Sequence, residues 1–190
     1  MPALRPDAIV KAGLVPGREL KAVALPKRVL KVAGLLALSW GVMIFTHEIG
    51  HVICGWLGGG TLQQADLWPW SLPYSFFEPD PHPLLTLWGG PLAGVAVPVA
   101  AALLVRRNAM TFIASFCSLA GGVYLAGGWV SGEQHLDTPR LLAAGAHPAT
   151  IAVYCVPTIG LGYFVFRRSF LRVLRGPADE AMLREALRRE

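Results

Sequence analysis

The feature that most constrains this chain is an apolar run from about Val32 to Leu57 whose ionisable side chains are concentrated in one short motif, His47-Glu48-Ile49-Gly50-His51. A run of this length and apolarity reads as a membrane-crossing helix, since about 20 apolar residues suffice to cross the hydrocarbon core. On such a helix, residues four apart share a face about 6 Å apart along the axis, so His47 and His51 can aim ring nitrogens at one metal ion. Glu48 stands beside them. Two histidines and a carboxylate in an HExxH pattern point to a Zn²⁺ site, with an open position for water and a general base next to it. An ionisable cluster at membrane depth is costly, which makes it a functional candidate. The structural alternative is that both histidines are satisfied core residues.

Composition supports the membrane reading. At 190 residues, 54% hydrophobic and 15% charged, with a mean hydropathy of +0.49, the chain is more apolar than ordinary soluble domains of its size. The sequence predicts one all-α, polytopic membrane domain. The first apolar run begins only near residue 29, after a long basic segment, so it reads as a retained span rather than a cleaved signal peptide. Cys54, Cys117 and Cys155 lie far apart within apolar runs and read as small buried hydrophobes without a disulfide framework.

Spans are expected over residues 29–57, 84–105, 111–130 and 149–166. Ahead of them, residues 1–28 form a basic segment whose prolines argue against one long helix, with brief interfacial helices such as Ala8 to Val15. Behind them, residues 168–190 form a basic tail with a surface helix over Pro177 to Glu190. Between the first two spans, residues 61–83 lack a helical period and any Lys or Arg. Their alternation of aromatic and polar residues with prolines fits an interfacial hairpin or re-entrant loop, acting either as a plain connection or as a substrate gate. Arg106, Arg107 and Asn108 read as a tight turn, and Gly90 and Gly94 form a small-xxx-small face for close helix packing.

The net charge of +5 is not a nucleic-acid signature, because the basic residues border spans. Seven run from Arg5 to Lys31 and seven from Arg167 to Arg189, with two between spans two and three and one between spans three and four. Such residues orient spans and attract anionic lipid headgroups. They predict both termini in the cytoplasm and the HExxH motif nearer the outer face. Richness in Ala, Leu, Gly and Arg is compatible with a bacterium of high GC content, whose cell membrane is then the expected location.

A catalytic zinc takes three protein ligands, so a partner for His47 and His51 is needed. Glu78, His82, His135 and Asp137 are the candidates. Glu78 and His82 sit in a proline-rich loop with no helix to fix them. Asp137 lies at a helix start beside a span, where it can be aimed back at the first span or can simply cap the helix. Gln134 and His135 are then placed for hydrogen bonds to a ligand or substrate.

HEIGH in a membrane helix, followed by Gly89-Gly90-Pro91-Leu92-Ala93-Gly94 and by His135-Leu136-Asp137-Thr138-Pro139-Arg140, resembles the site-2 protease family of intramembrane zinc metalloproteases over about residues 30–145. The resemblance implies His47, His51 and Asp137 as zinc ligands and Glu48 as general base, with Gly90, Gly94, Gln134 and His135 near substrate or behind the ligands. It implies a membrane-associated protein or peptide as substrate. Three departures stand out. Thr138 follows Asp137 where the family commonly has glycine, Gly94 stands where many members have asparagine, and the charge bias runs the first span opposite to better-known members. A non-catalytic scaffold retaining a protease-like core, or a metal-transport component, are the alternative readings.

Overall fold

The structure is a computed structural model that describes residues 17–68 and 73–187, with side chains over 27–68 and 73–175. It is mostly helical. In chain order the elements are α1 (Gly17–Leu57), β1 (Leu62–Asp66), β2 (Tyr74–Phe77), α2 (Pro83–Val105), α3 (Asn108–Ser131), α4 (Asp137–Ala143) and α5 (Pro148–Leu187). Among the described residues, four segments are long and apolar enough to cross a membrane: Lys27–Leu57, Pro83–Val105, Asn108–Ser131 and Pro148–Arg175. The expected all-α, four-span architecture is therefore present, with a small two-stranded sheet added to it.

The helix ends follow local chemistry. α1 stops in a Schellman turn, with Gly60 N–H on the Gly55 carbonyl at 2.8 Å and Gly59 N–H on Trp56 at 3.0 Å. Gly59 takes the left-handed conformation this requires, at φ 76°. α2 opens on Pro83, where a missing N–H costs nothing, and ends at Val105 with Arg106 as its cap, after which α3 begins within two residues. That tight turn is the one expected at Arg106 to Asn108.

Two expectations about the ends are corrected. α1 begins at Gly17 and passes through Pro26, so that proline does not end the helix, while Pro2, Pro6 and Pro16 lie outside the described residues. Pro26 forfeits one intrahelical hydrogen bond, and helix-forming neighbours such as Leu20, Lys21 and Ala22 carry the helix across it. Residues 8–15 lie outside the described residues. At the other end α5 is continuous from Pro148 to Leu187, so the boundary placed at residue 168 falls inside a helix and the expected tail helix is its continuation.

α3 is the most buried of the four spans and packs against α1, α2 and α5. A core of Leu87, Leu125, Leu141, Ile151 and Cys155 joins α2, α3, α4 and α5. Side chains such as Leu38, Phe45, Leu103, Val130 and Phe164 are exposed, as lipid-facing residues would be. α1 and α2 touch backbone to backbone: a β-carbon on Gly50 would collide with the Gly89 carbonyl, and one on Gly89 with that of Gly50. That contact brings the HExxH turn of α1 against the start of α2. The three cysteines are free, with Cys117 and Cys155 buried.

Residues 61–83 contain the hairpin anticipated for them. β1 and β2 pair antiparallel, with Ala65 opposite Ser75 and Asp66 opposite Tyr74, and the register shifts between Leu62 and Gln64. Along β2, Ser75 and Phe77 are buried while Tyr74 and Phe76 are exposed, the period-two pattern of a strand lying on another element. That element is α1. Phe77 fills the space left by Gly55, where a β-carbon would run into its ring.

Candidate metal centre

Two elements supply the candidate ligands. α1 carries His47, Glu48 and His51, one helical turn bringing the two histidines to one face with ring centroids 4.7 Å apart. One donor atom from each of His47, Glu48 and His51 lies within 4.8 Å of the others, so this buried group could hold a metal ion. α4 carries Asp137 at its first helical position. The N-cap is Leu136, with no side-chain capping bond, so Asp137 is not acting as the helix cap. Its carboxylate is turned to α1 instead.

Asp137 Oδ2 lies 2.8 Å from His47 Nε2 and 3.4 Å from His51 Nε2, and the two Nε2 atoms are 3.0 Å apart. Ligands about 2.0–2.1 Å from a tetrahedral ion lie roughly 3.3 Å from one another, close to the sides of this triangle. The donor chemistry fits as well. Imidazole and carboxylate donors suit a divalent transition metal, and the two carboxylates offer negative charge that such an ion would neutralise. Burial works against ionisation of Asp137, but His51 and His47 outweigh it and hold its carboxyl below the usual carboxylate range. The side chains of His47, His51 and Asp137 are only 12%, 7% and 6% exposed, so competition from bulk water is small.

Each ligand candidate is fixed from behind. His51 Nδ1 donates to the Thr86 carbonyl at 2.8 Å, which directs the lone pair of its Nε2 toward the cluster. A β-carbon on Gly90 would collide with the His51 ring, and one on Gly94 would lie 3.4 Å from His47 Cβ. Gly90 and Gly94 are thus where the two histidines meet α2. They back the rings and do not line the cleft described next. Thr138, beside Asp137, donates to the Leu125 carbonyl at 2.7 Å and is almost completely buried against Gly128, which ties α4 to α3.

Glu48 is held from the opposite side. Ser75 Oγ on β2 donates to Glu48 Oε2 at 3.1 Å, and Glu48 is 5% exposed. The hairpin therefore touches the site directly. A cleft of about 360 Å³ runs between β2 and the α3–α4 segment, with Tyr74, Ser75 and Phe76 on one wall and Gln134, His135 and Arg140 on the other. Glu48, His51, Asp137 and Tyr124 also line it. His135 is exposed and paired with Glu133 at 2.8 Å. The fraction of Glu133 that is charged rises through that contact, which holds its carboxyl below the usual range.

Glu78 and His82 do not join the cluster. Glu78 is exposed, its main chain bonded to Thr61 and Gln63, and His82 is exposed beside Gly58 at the far end of α1. Of the four third-ligand candidates, the structure brings Asp137 to both histidines and leaves the other three outside.

Three contributors were not singled out from the sequence. Ser75 is the small polar residue of an otherwise aromatic strand, Thr86 acts through its main chain, and Tyr124 is a hydroxyl in an apolar span. Tyr124 stands edge-on to His47, with ring centroids 5.5 Å apart. The alternation of β2 would have placed Ser75 on its buried face. Nothing in the sequence marks the Thr86 carbonyl.

Compared with known proteins, the chain matches no family model, no curated protein and no solved structure.

Proposed function

We propose that this chain is a zinc-dependent peptidase that hydrolyses peptide bonds of membrane-associated proteins or peptides, as its resemblance to the site-2 proteases implies. The observation that carries the reading is the convergence of His47 Nε2, His51 Nε2 and Asp137 Oδ2 beside Glu48. His47, His51 and Asp137 would hold the ion. Bound there, zinc supplies Lewis acidity to water and to the scissile carbonyl.

The remaining steps belong to the chain's own groups. Glu48 is the general base: Ser75 occupies its Oε2, leaving Oε1 to accept a proton from water in the cleft and return it to the departing amine nitrogen. The Thr86 carbonyl keeps His51 in one tautomer throughout. Lipid-facing helices exclude bulk water on one side, while the cleft beside Gln134, His135 and Arg140 gives a polar approach on the other. A membrane helix has its amides paired internally and must unwind before attack. An extended substrate segment can lie along β2, in the manner of an added strand, and have its main-chain groups satisfied there.

Gly94 is the feature that favours a non-catalytic scaffold, since it offers no side chain to a substrate oxygen. Purified protein in proteoliposomes separates the two readings. With a panel of apolar-flanked fluorogenic peptides and a reporter transmembrane helix as probes, the wild type cleaves, and Glu48→Gln keeps zinc but loses cleavage. Cleavage unaffected by Glu48→Gln, or a purified chain that binds no zinc, defeats the peptidase reading. Both termini cytoplasmic, as the Lys and Arg placement implies, puts the cleft toward the outer face in a bacterial cell membrane. Thiol labelling of single cysteines placed at Gln134 and Arg106 on intact cells reads that orientation.

A further inference from the structure

A second cavity opens on the other side of Glu48. It has a volume of about 170 Å³ and lies between α1 and α3, walled by Trp40, Met43 and Ile44 from the two turns before the HExxH motif and by Gly121 and Tyr124. Its lining is overwhelmingly carbon, whereas the cleft beyond Glu48 carries Gln134, His135 and Arg140. Glu48, Pro73 and Tyr124 belong to both spaces, so Glu48 stands at the boundary between an apolar chamber and a polar one.

We propose that this apolar cavity is a specificity subsite, which receives a branched aliphatic or aromatic side chain from the substrate residue next to the cleaved bond. The inference rests on the peptidase reading and adds what that site selects. A peptide running along β2 with its reacting carbonyl beside Glu48 has its main chain in the polar cleft. The nearest space for the adjoining side chain is then the chamber behind His47. An apolar cavity of roughly 150 Å³ is large enough to hold a benzene ring, so the observed volume admits a leucine or phenylalanine side chain. A charged side chain would lose its hydration there without gaining a partner, because the polar groups at the mouth are the ones committed to the site. Met43 adds an adaptable wall, since its unbranched thioether can repack around either shape.

The test uses the full chain, purified and loaded with zinc, and reads binding rather than turnover. The probes are glycine, leucine, phenylalanine and glutamate hydroxamates, whose shared head group chelates the metal while the side chain samples the space beside it. Leucine and phenylalanine hydroxamates bind at least about tenfold more tightly than glycine hydroxamate, and glutamate hydroxamate shows no gain. Met43→Trp, which fills the chamber, removes that gain and leaves zinc content and glycine hydroxamate binding unchanged. Should this variant fail to fold, Met43→Ala enlarges the chamber and raises the preference for phenylalanine over leucine. Equal binding of all four probes to a zinc-loaded chain overturns the subsite while the peptidase reading stands. A leucine gain that survives Met43→Trp, or a phenylalanine-to-leucine preference left unchanged by Met43→Ala, places the selective pocket elsewhere and overturns it too. A chain that takes up no zinc overturns both.

Discussion

Gly90 of α2 lies against the His51 ring so closely that no β-carbon fits between them. The same helix supplies the Thr86 carbonyl that binds His51 Nδ1, one turn earlier. α2 therefore sets both the position and the tautomer of one ligand candidate, through a missing side chain and a main-chain oxygen. Gly90→Ala is expected to displace His51 and weaken zinc affinity by at least about tenfold, the scale on which groups behind metal ligands act. Gly94→Ala is expected to keep zinc, because its β-carbon meets His47 Cβ at 3.4 Å, an ordinary contact. Zinc content at buffered free zinc reads both variants. Equal retention by the two would mean that α2 does not position the histidines.

The Ser75 contact with Glu48 ties the hairpin to the candidate metal centre. Ser75→Ala removes the donor to Oε2 and frees the carboxylate to rotate. Hydrogen bonds to charged groups are worth about 1.5–3 kcal/mol, so a fall of roughly tenfold or more in kcat is expected, with zinc content unchanged. A loss of zinc in this variant would instead assign Ser75 to holding the fold of the site.

Thr138 replaces the glycine common in the family that the chain resembles, and its hydroxyl has a defined use. It bonds the Leu125 carbonyl at 2.7 Å within a buried contact to α3. Thr138→Gly is expected to cost about 1–2 kcal/mol in stability, from a lost hydrogen bond and added backbone freedom at a helix start. Thr138→Ser, which keeps the hydroxyl, should recover most of that loss. Thermal unfolding followed by circular dichroism reads the difference, and zinc content shows whether Asp137 moves with its neighbour.

The apolar segments were legible because length and apolarity alone mark a helix able to cross a membrane; three lie within three residues of the expected bounds, and the fourth runs on to Arg175, nine residues past the expected end. His47 and His51 were legible from the spacing of a single helix. Asp137 was less so: it lies 90 residues from His47 in the chain, and position beside a helix start left three other candidates open. The contacts from Thr86 and Gly90 depend on how two helices cross, which no local pattern encodes. Helix continuity at Pro26 was misread because a proline's local penalty is small beside the sum of its helix-forming neighbours. The apolar cavity behind Glu48 was invisible in the sequence, since Trp40, Met43 and Ile44 look like ordinary lipid-facing residues until α3 is placed against them.

Phe77 and Gly55 offer a test of the hairpin itself. Phe77 is 6% exposed and sits where Gly55 has no side chain, while Ser75, two residues earlier on the same strand face, reaches Glu48. One anchor is apolar and the other polar, and both depend on the strand lying flat on α1. Truncating a buried phenylalanine costs about 3–5 kcal/mol in a closed core, and here that loss falls mainly on the docking of the hairpin. Phe77→Ala is expected to leave the four spans intact while releasing β1 and β2, so limited proteolysis should cut within residues 62–77 much faster than in the wild type. Zinc stays bound, because His47, His51 and Asp137 come from α1 and α4. Cleavage of probe peptides falls with the hairpin's release, since Glu48 loses Ser75 and an extended substrate loses its strand. Unchanged proteolysis at the hairpin would show that Ser75 and the remaining loop contacts suffice to hold it.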